Sequence, residues 1–318
     1  MSYRFEPIKI FKYVNNLTSV NIMVQSKYSV IIGLIFSLCF LCGCITETQD
    51  SNGTEIPDGL YVSSSGEKEF TSIQDAIDQA SENKTVYVFP GIYYEEIKIN
   101  KSINLIGHNL ETTIIDGYKN DDVIRIIDTD FCNITGFTIQ NSSSTGSGIE
   151  LNSANNNISN NIIQNNDKGI YCISKTHNSF YNNTFLLNDQ YGIYILNSND
   201  NLVKLNTFTQ NHYGMRIKGS RDNNVIHNEF RNNDYGLYFC CGATSNTVYY
   251  NAFINNSNWN ANDGVGGNTW HNEENFKGNY WEDYTGSDED NNGIGDTSYI
   301  ITSYQSKKDN YPLMEPWN

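Results

Sequence analysis

Proline is scarce, with 5 in 318 residues, and methionine scarcer, with 4. Basic residues are outnumbered, 20 Lys and Arg against 36 Asp and Glu, for a formal net charge of −16. A sequence pI near 4.6 excludes the basic patch that a nucleic-acid partner requires. Hydrophobic residues make up 38% and mean hydropathy is −0.51, so the core is thin. Asparagine is what abounds: 48 in all, 33 of them between residues 151 and 280. Asn favours turns over helix interiors, which excludes an ordinary helical globule. The length exceeds a usual single domain, but a repeat solenoid accommodates it.

One long apolar run exists, at residues 28–43. It is short for a spanning helix and suits a signal-peptide core. Arg4, Lys9, Lys12 and Lys27 precede it, and no Lys or Arg follows until Lys68. That asymmetry places the remainder outside the cytoplasm. Leu41-Cys42-Gly43-Cys44 resembles a lipobox with Cys44 acylated; an uncleaved anchor is the alternative. Residues 1–44 are therefore read as signal peptide and lipobox, 1–22 as a candidate mis-called start before Met23, and 45–58 as a polar tether. Cys132, Cys172, Cys240 and Cys241 lack zinc-site spacing. Cys172 reads as a small core residue; Cys240 and Cys241 could bridge to either of the others.

Gly-apolar-x-apolar recurs at Gly148, Gly169, Gly192, Gly214 and Gly236, in steps of 21, 23, 22 and 22 residues. Asn161, Asn183, Asn206, Asn228 and Asn251 repeat in phase, as do Asn178, Asn201, Asn224, Asn246 and Asn268. Three short alternating segments per repeat describe a three-sided coil. Stacked coils pair each strand with its neighbours about 4.8 Å away. Asn at the corners accepts left-handed backbone angles. The fold expected is an all-β, right-handed parallel β-helix over 59–277 with about 22 residues per coil. Its handedness comes from known solenoids. Residues 71–80 read as a capping helix, with Ile73, Ala76, Ile77 and Ala80 on one face. Residues 278–318 read as the opposite cap.

The stretch FTSIQDAIDQA followed by VYVFPGIYYEEIKINKSINLIG resembles the opening of pectin-lyase-like β-helices. The Asn-rich coils and the ending GNYWEDYTGSDEDNNGIGDTSYII resemble the NosD-like family of exported β-helices. The resemblance covers residues 58–318 and implies fold more than activity, because this fold hosts lyases, hydrolases, epimerases and scaffolds. It also implies a candidate role in copper-enzyme maturation.

Several constellations could carry chemistry. Asp288, Asp290, Asn292, Ile294 and Asp296 follow the spacing of a calcium loop, with Gly293 at the sharp turn. Tyr299 replaces the final bidentate Glu, so the expected Ca²⁺ is structural and modestly bound. Tyr171, Tyr194 and Tyr238, with Tyr191, Tyr213 and Tyr235, fall at equal offsets from their glycines and should stack into a comb. Such a comb suits sugar rings; the plainer reading is strand stabilisation. Asp200 and Asp222 share an offset in a column read as Asn156, His177, Asp200, Asp222 and Thr244. They are weak candidates for lyase chemistry. Arg216-Ile217-Lys218 matches a tripeptide of polygalacturonase-type hydrolases without their accompanying motifs. His177, His212 and His227 lie at different offsets and should not form one copper site.

The function expected is a non-catalytic cell-surface module that binds carbohydrate or packs in the envelope. The alternatives are a polysaccharide lyase or hydrolase, and an accessory protein for copper-enzyme maturation. The expected chain is a monomer held at the membrane by its lipid or signal anchor, with a carbohydrate or envelope component as partner and no nucleic acid.

Overall fold

The computed structural model describes residues 57–303 and 307–317. Cys44, the signal segment and residues 45–56 of the tether lie outside the described residues. Three parallel sheets of ten, nine and nine strands enclose one core. Successive strands of each sheet come from successive coils, about 9 turns of about 23 residues each. The fold is the expected right-handed parallel β-helix.

Each inward column is apolar. Leu151, Cys172, Ile195, Ile217 and Phe239 are fully buried on consecutive coils. Burial pushes the Cys172 thiol up to about 11, so it behaves as a small apolar group. Phe185, Phe208, Phe230, Phe253 and Trp281 stack face to face, with centroids 4.4 to 5.0 Å apart. That spacing is the coil repeat itself. The repeating glycines are required by space. A Cβ on Gly192 would lie 2.5 Å from the Gly214 carbonyl oxygen and 2.7 Å from the Phe208 ring.

Corner asparagines divide between two roles: left-handed turns, as expected, at Asn155, Asn160, Asn182 and Asn232, and hydrogen bonds between coils. The buried corner asparagines form three ladders: Asn156 to Asn268, Asn161 to Asn279, and Asn166 to Asn256. The Asn206 Oδ1 accepts from the Asn183 backbone N–H at 2.9 Å and from Asn183 Nδ2 at 3.1 Å. Its own Nδ2 donates to the Phe180 carbonyl and to Asn228 Oδ1. Each rung thus satisfies polar groups where strands end and no ladder partner exists. Left-handed angles fall instead on the residue before the buried Asn, as at Asn160, Asn182, Leu205 and His227. Asn223, not Asn224, is the ladder member.

All ladder dipoles point the same way, amide protons towards the C-terminus. Each ladder ends on an aspartate that an aromatic hydroxyl or indole also engages. Asn268 donates to Asp263, which Trp270 also reaches. Asn279 donates to Asp309, beside Trp281. Asn256 reaches Asp283 through Asn260, and Tyr299 joins there. Negative charge at the end of aligned amide dipoles is the favourable sign, as at a helix N-terminus.

The N-terminal helix spans Ile73–Gln79, capped by Ser72, whose hydroxyl accepts from the Asp75 amide. Glu95 accepts from the Ile73 and Gln74 amides at 2.8 and 2.9 Å, adding negative charge there. At the other end, Tyr280–Trp281 and Thr302–Ser303 extend two of the sheets, and Tyr299–Ile300 pairs antiparallel with Lys308–Asp309. No described helix is long and apolar enough to cross a membrane.

Candidate functional site

The sheet running from Ile97–Ile99 to Thr302–Ser303 presents the comb. Two outward columns build it. In one, Glu150, Tyr171, Tyr194, Arg216, Tyr238 and Asn262 succeed one another in register. In the other, Ser147, Lys168, Tyr191, Tyr213, Tyr235 and Trp259 do. Between the columns the glycine and the residue after it are both buried, and the residues on either side of them face outward. The rings meet: Tyr171 on Tyr194 at 5.2 Å, Tyr213 on Tyr235 at 4.6 Å, and Tyr235 beside Trp259 at 4.7 Å. All six tyrosines named from the sequence come together. Trp259 completes the column and was missed, because its coil lacks the Gly-apolar motif: Asn260 stands where the glycine would be.

Arg216 lies at the centre. Its guanidinium sits 5.4 to 5.7 Å from the centroids of Tyr191, Tyr194 and Tyr238. Nη1 donates to the Tyr191 hydroxyl at 2.7 Å and Nη2 to the Cys240 sulfur at 3.5 Å. Nε is buried without a partner. No described carboxylate pairs with it, whereas Arg125 holds both Asp121 and Asp122. Burial pushes the phenols of Tyr171, Tyr194, Tyr213 and Tyr238 up, so they are neutral donors at physiological pH.

A charged cluster closes the N-terminal end of the face. Asp122 accepts from Arg125 at 2.6 Å and from the Ser147 amide at 2.6 Å. Burial, then the neighbouring Asp122, pushes the Glu150 carboxyl up to about 7. An open groove of about 420 Å³ flanks the comb, lined in part by Asp189, Gln210, His212 and Asp234. His212 meets Asp234 at 2.8 Å and stands edge-on to Tyr213 and Tyr235.

The other sequence candidates lie apart from this face. Asp200 and Asp222 are exposed turn residues at φ +55° and +58°, on adjacent coils, with the Asp200 amide bonded to the Arg221 carbonyl. A left-handed position suits Asp for conformational reasons alone. Their column contains Asn155 and Ser245, both at positive φ, rather than Asn156 and Thr244. The 21-residue first step moves the count by one at Asn155, and one extra residue between Gly236 and Ser245 moves it at the other end. The loop 288–296 is a set of side-chain-to-amide turns. Asp288 accepts from the Asn292 and Gly293 amides, Asn292 from the Ile294 amide, and Asp296 from the Glu289 amide. Asp290 accepts from Asn292. The four described cysteines are free thiols.

Among the described residues, no three His, Cys, Asp or Glu side chains gather closely enough to hold a metal ion. His177, His212 and His227 occupy three different corners of the coil. Met215 is fully buried in the core, and the Cys240 sulfur has a guanidinium beside it, which repels a cation. The described residues therefore do not assemble a copper site.

A family model described as "Periplasmic copper-binding protein (NosD)" matches residues 77–286. A comparison with curated proteins found no match. Among solved structures, ORF18 of Geobacillus virus E2 is similar at 19% identity and TM-score 0.43, over 60% of this chain and 48% of that one. The chain thus spans about half the length of that relative. Pectin methylesterase from carrot is similar at 12% identity and TM-score 0.46, over 71% and 82% of the two chains. Alginate lyase from Paenibacillus sp. str. FPU-7 is similar at 15% and 0.41, over 62% and 91%. At these values none of the three carries an argument about this chain.

Proposed function

The chain belongs to the NosD family, and we propose that its aromatic face binds carbohydrate without cleaving it, outside the cytoplasm. The observation that carries this reading is the Tyr191, Tyr213, Tyr235 and Trp259 column with the His212 and Asp234 groove beside it. Sugar rings present apolar C–H faces to aromatic rings and hydroxyl rims to polar groups. Rings repeating every coil, with carboxylates and an imidazole alongside, offer both. Arg216, with no carboxylate of its own, favours sugars that carry an oxyanion. Acylation at Cys44 would hold the protein at the membrane. Calcium in the 288–296 loop would need Asn292 and the Ile294 carbonyl beside a rearranged set of acids, and would then brace the end of the stack.

A second reading, cleavage, has one observation in its favour. Glu150 is a carboxyl pushed to about 7 at the end of the face, next to an Asp122 paired with Arg125. Carboxyl pairs in unlike environments are how enzymes separate acid from base. The test incubates the purified protein with calcium and a panel of acidic and neutral polysaccharides, following retention and chain length. Retention without shortening is expected. Shortening that disappears in Glu150→Gln would replace binding with catalysis. Neither retention nor shortening would leave an envelope role and reduce the tyrosines to strand neighbours.

A further inference from the structure

One edge of the aromatic face carries chemistry that carbohydrate binding does not use. Leu196, Lys218 and Cys240 succeed one another in register at the end of their strands. After Cys240 comes Cys241, in a turn closed by a hydrogen bond from the Ala243 amide to the Cys240 carbonyl. Cys240 is 4% exposed and Cys241 is exposed. The two cysteines are neighbours in the chain, so their Cα atoms are about 3.8 Å apart.

This turn is tied down less than its counterparts. In the two preceding coils Ser198 and Ser220 form a short ladder, the Ser198 amide donating to Ser220 Oγ at 3.0 Å. Ala243 takes the next position and ends that ladder, since it has no hydroxyl. Gly242, between Cys241 and Ala243, lies at φ +87° with nothing within 4 Å of an added Cβ. The backbone of the turn therefore has room to rearrange. Arg216 supplies the electrostatic part. Its Nη2 donates to the Cys240 sulfur at 3.5 Å, and a guanidinium there stabilises a thiolate.

We infer that Cys240 and Cys241 are a redox site, a dithiol that closes to a disulfide between adjacent residues when it meets a disulfide oxidant outside the cytoplasm. Exposed Cys241 reacts first: its thiolate attacks one sulfur of the oxidant, the S–S bond breaks, and one oxidant thiolate leaves. The Cys240 thiolate then attacks the Cys241 sulfur, forming the ring bond and expelling the second oxidant thiolate. Two cysteine thiols are oxidised, one disulfide is reduced to two thiols, and the two cysteine protons go to the departing thiolates. Burial pushes the Cys240 thiol up, so the second step depends on Arg216. A family of periplasmic proteins meets such oxidants routinely. Cys132 and Cys172 are only 1% and 0% exposed and serve as internal controls.

The test treats the purified protein with oxidised glutathione, blocks remaining thiols, and weighs the tryptic peptide 232–277, whose cysteines are Cys240 and Cys241 alone. The expected peptide is unblocked and lighter by two hydrogens. Cys240→Ser should instead retain one glutathione on Cys241. Arg216→Gln should lengthen the lifetime of the mixed disulfide several-fold without slowing its formation. A peptide blocked at both cysteines after oxidation would overturn the inference. So would Cys241 linked to a second chain, or ring closure equally fast in Arg216→Gln. None of these readouts depends on carbohydrate, so they fail or hold independently of the binding proposal.

Discussion

One repeat builds two ladders of opposite character. Inside the corners, asparagines stack with every side-chain amide engaged: Asn206 alone makes bonds to Asn183, Phe180, Lys204 and Asn228. Outside, the tyrosines stack on the same period, yet Arg216 among them keeps a buried Nε without a partner and pairs with no described carboxylate. A closed ladder holds coils together; an open one has capacity left for something else. The interior should therefore tolerate almost no change, and the face should tolerate change in fold but not in binding.

The sharpest way to break this contrast is in the interior. Gly192→Ala places a methyl 2.5 Å from the Gly214 carbonyl and should destabilise by more than about 3 kcal/mol. Asn206→Ala strands the Asn183 amide and the Phe180 carbonyl in a buried corner. It should lose about 2–4 kcal/mol, read by urea unfolding. Solenoid coils contact only their neighbours, so either variant should also split the transition in two. A single, unshifted transition would show that the ladder is ornamental.

The ends of the ladders can be probed by pH. Asp309 accepts from the Asn279 amide, Trp281 and the Tyr311 amide, yet burial outweighs these and raises its carboxyl to about 6. The unfolded value is near 3.8. Between those values the folded chain holds a proton that the unfolded chain has released. Stability therefore falls as pH rises from about 4 through about 6, by about 3 kcal/mol in all. Glu150 acts in the same direction up to about 7. Melting temperature should drop across this window, and Asp309→Asn should flatten most of the drop. A melting temperature that rises over the same range would contradict the assignment.

The sequence disclosed these ladders unequally. The coil period, the inward columns and the six tyrosines follow from counting, because a strict repeat makes equal offsets adjacent in space. The roles of the asparagines do not. Counting places Asn206 at a corner but cannot distinguish a residue that turns the chain from one that bonds the next coil. That distinction depends on whether Leu205 or Asn206 takes the left-handed angle. Trp259 escaped because its coil abandons the glycine. Glu150 shares the comb's column without being a ring. Its raised carboxyl needs burial and Asp122, which belongs to the preceding coil, and Arg125 there only opposes the shift. Asp200 and Asp222 attracted notice as paired acids, although their positive φ already accounts for them.

On the face, Tyr213→Ala removes a ring that contacts Tyr191, Tyr235, Tyr238 and Trp259. Being partly exposed, it should cost about 1 kcal/mol of stability. If the ladder is a binding platform, polysaccharide affinity should fall about tenfold or more, since a central aromatic anchor contributes disproportionately. Binding measured beside unfolding separates the two. A large stability loss with unchanged binding would make the outer ladder a copy of the inner one.

The smallest effect belongs to the loop 288–296. Its acids already accept backbone amides, with Asp288 taking two and Asp296 one. Calcium would have to compete for those oxygens, and the loop lacks a bidentate Glu at its last position. Binding should therefore be weak, in the range of extracellular calcium modules, on the order of 10⁻⁴–10⁻³ M. At tenfold excess over such a constant, linkage gives about 1.4 kcal/mol and a modest rise in melting temperature. Asp288→Ala should abolish that rise while leaving carbohydrate affinity untouched, because the loop and the comb share no residue. Calorimetry without heat of calcium binding, and an unchanged melting curve, would assign Asp288 and Asp296 to turn-making alone. The carboxylates of this loop would then be satisfied by the chain's own amides, as the inner asparagines are.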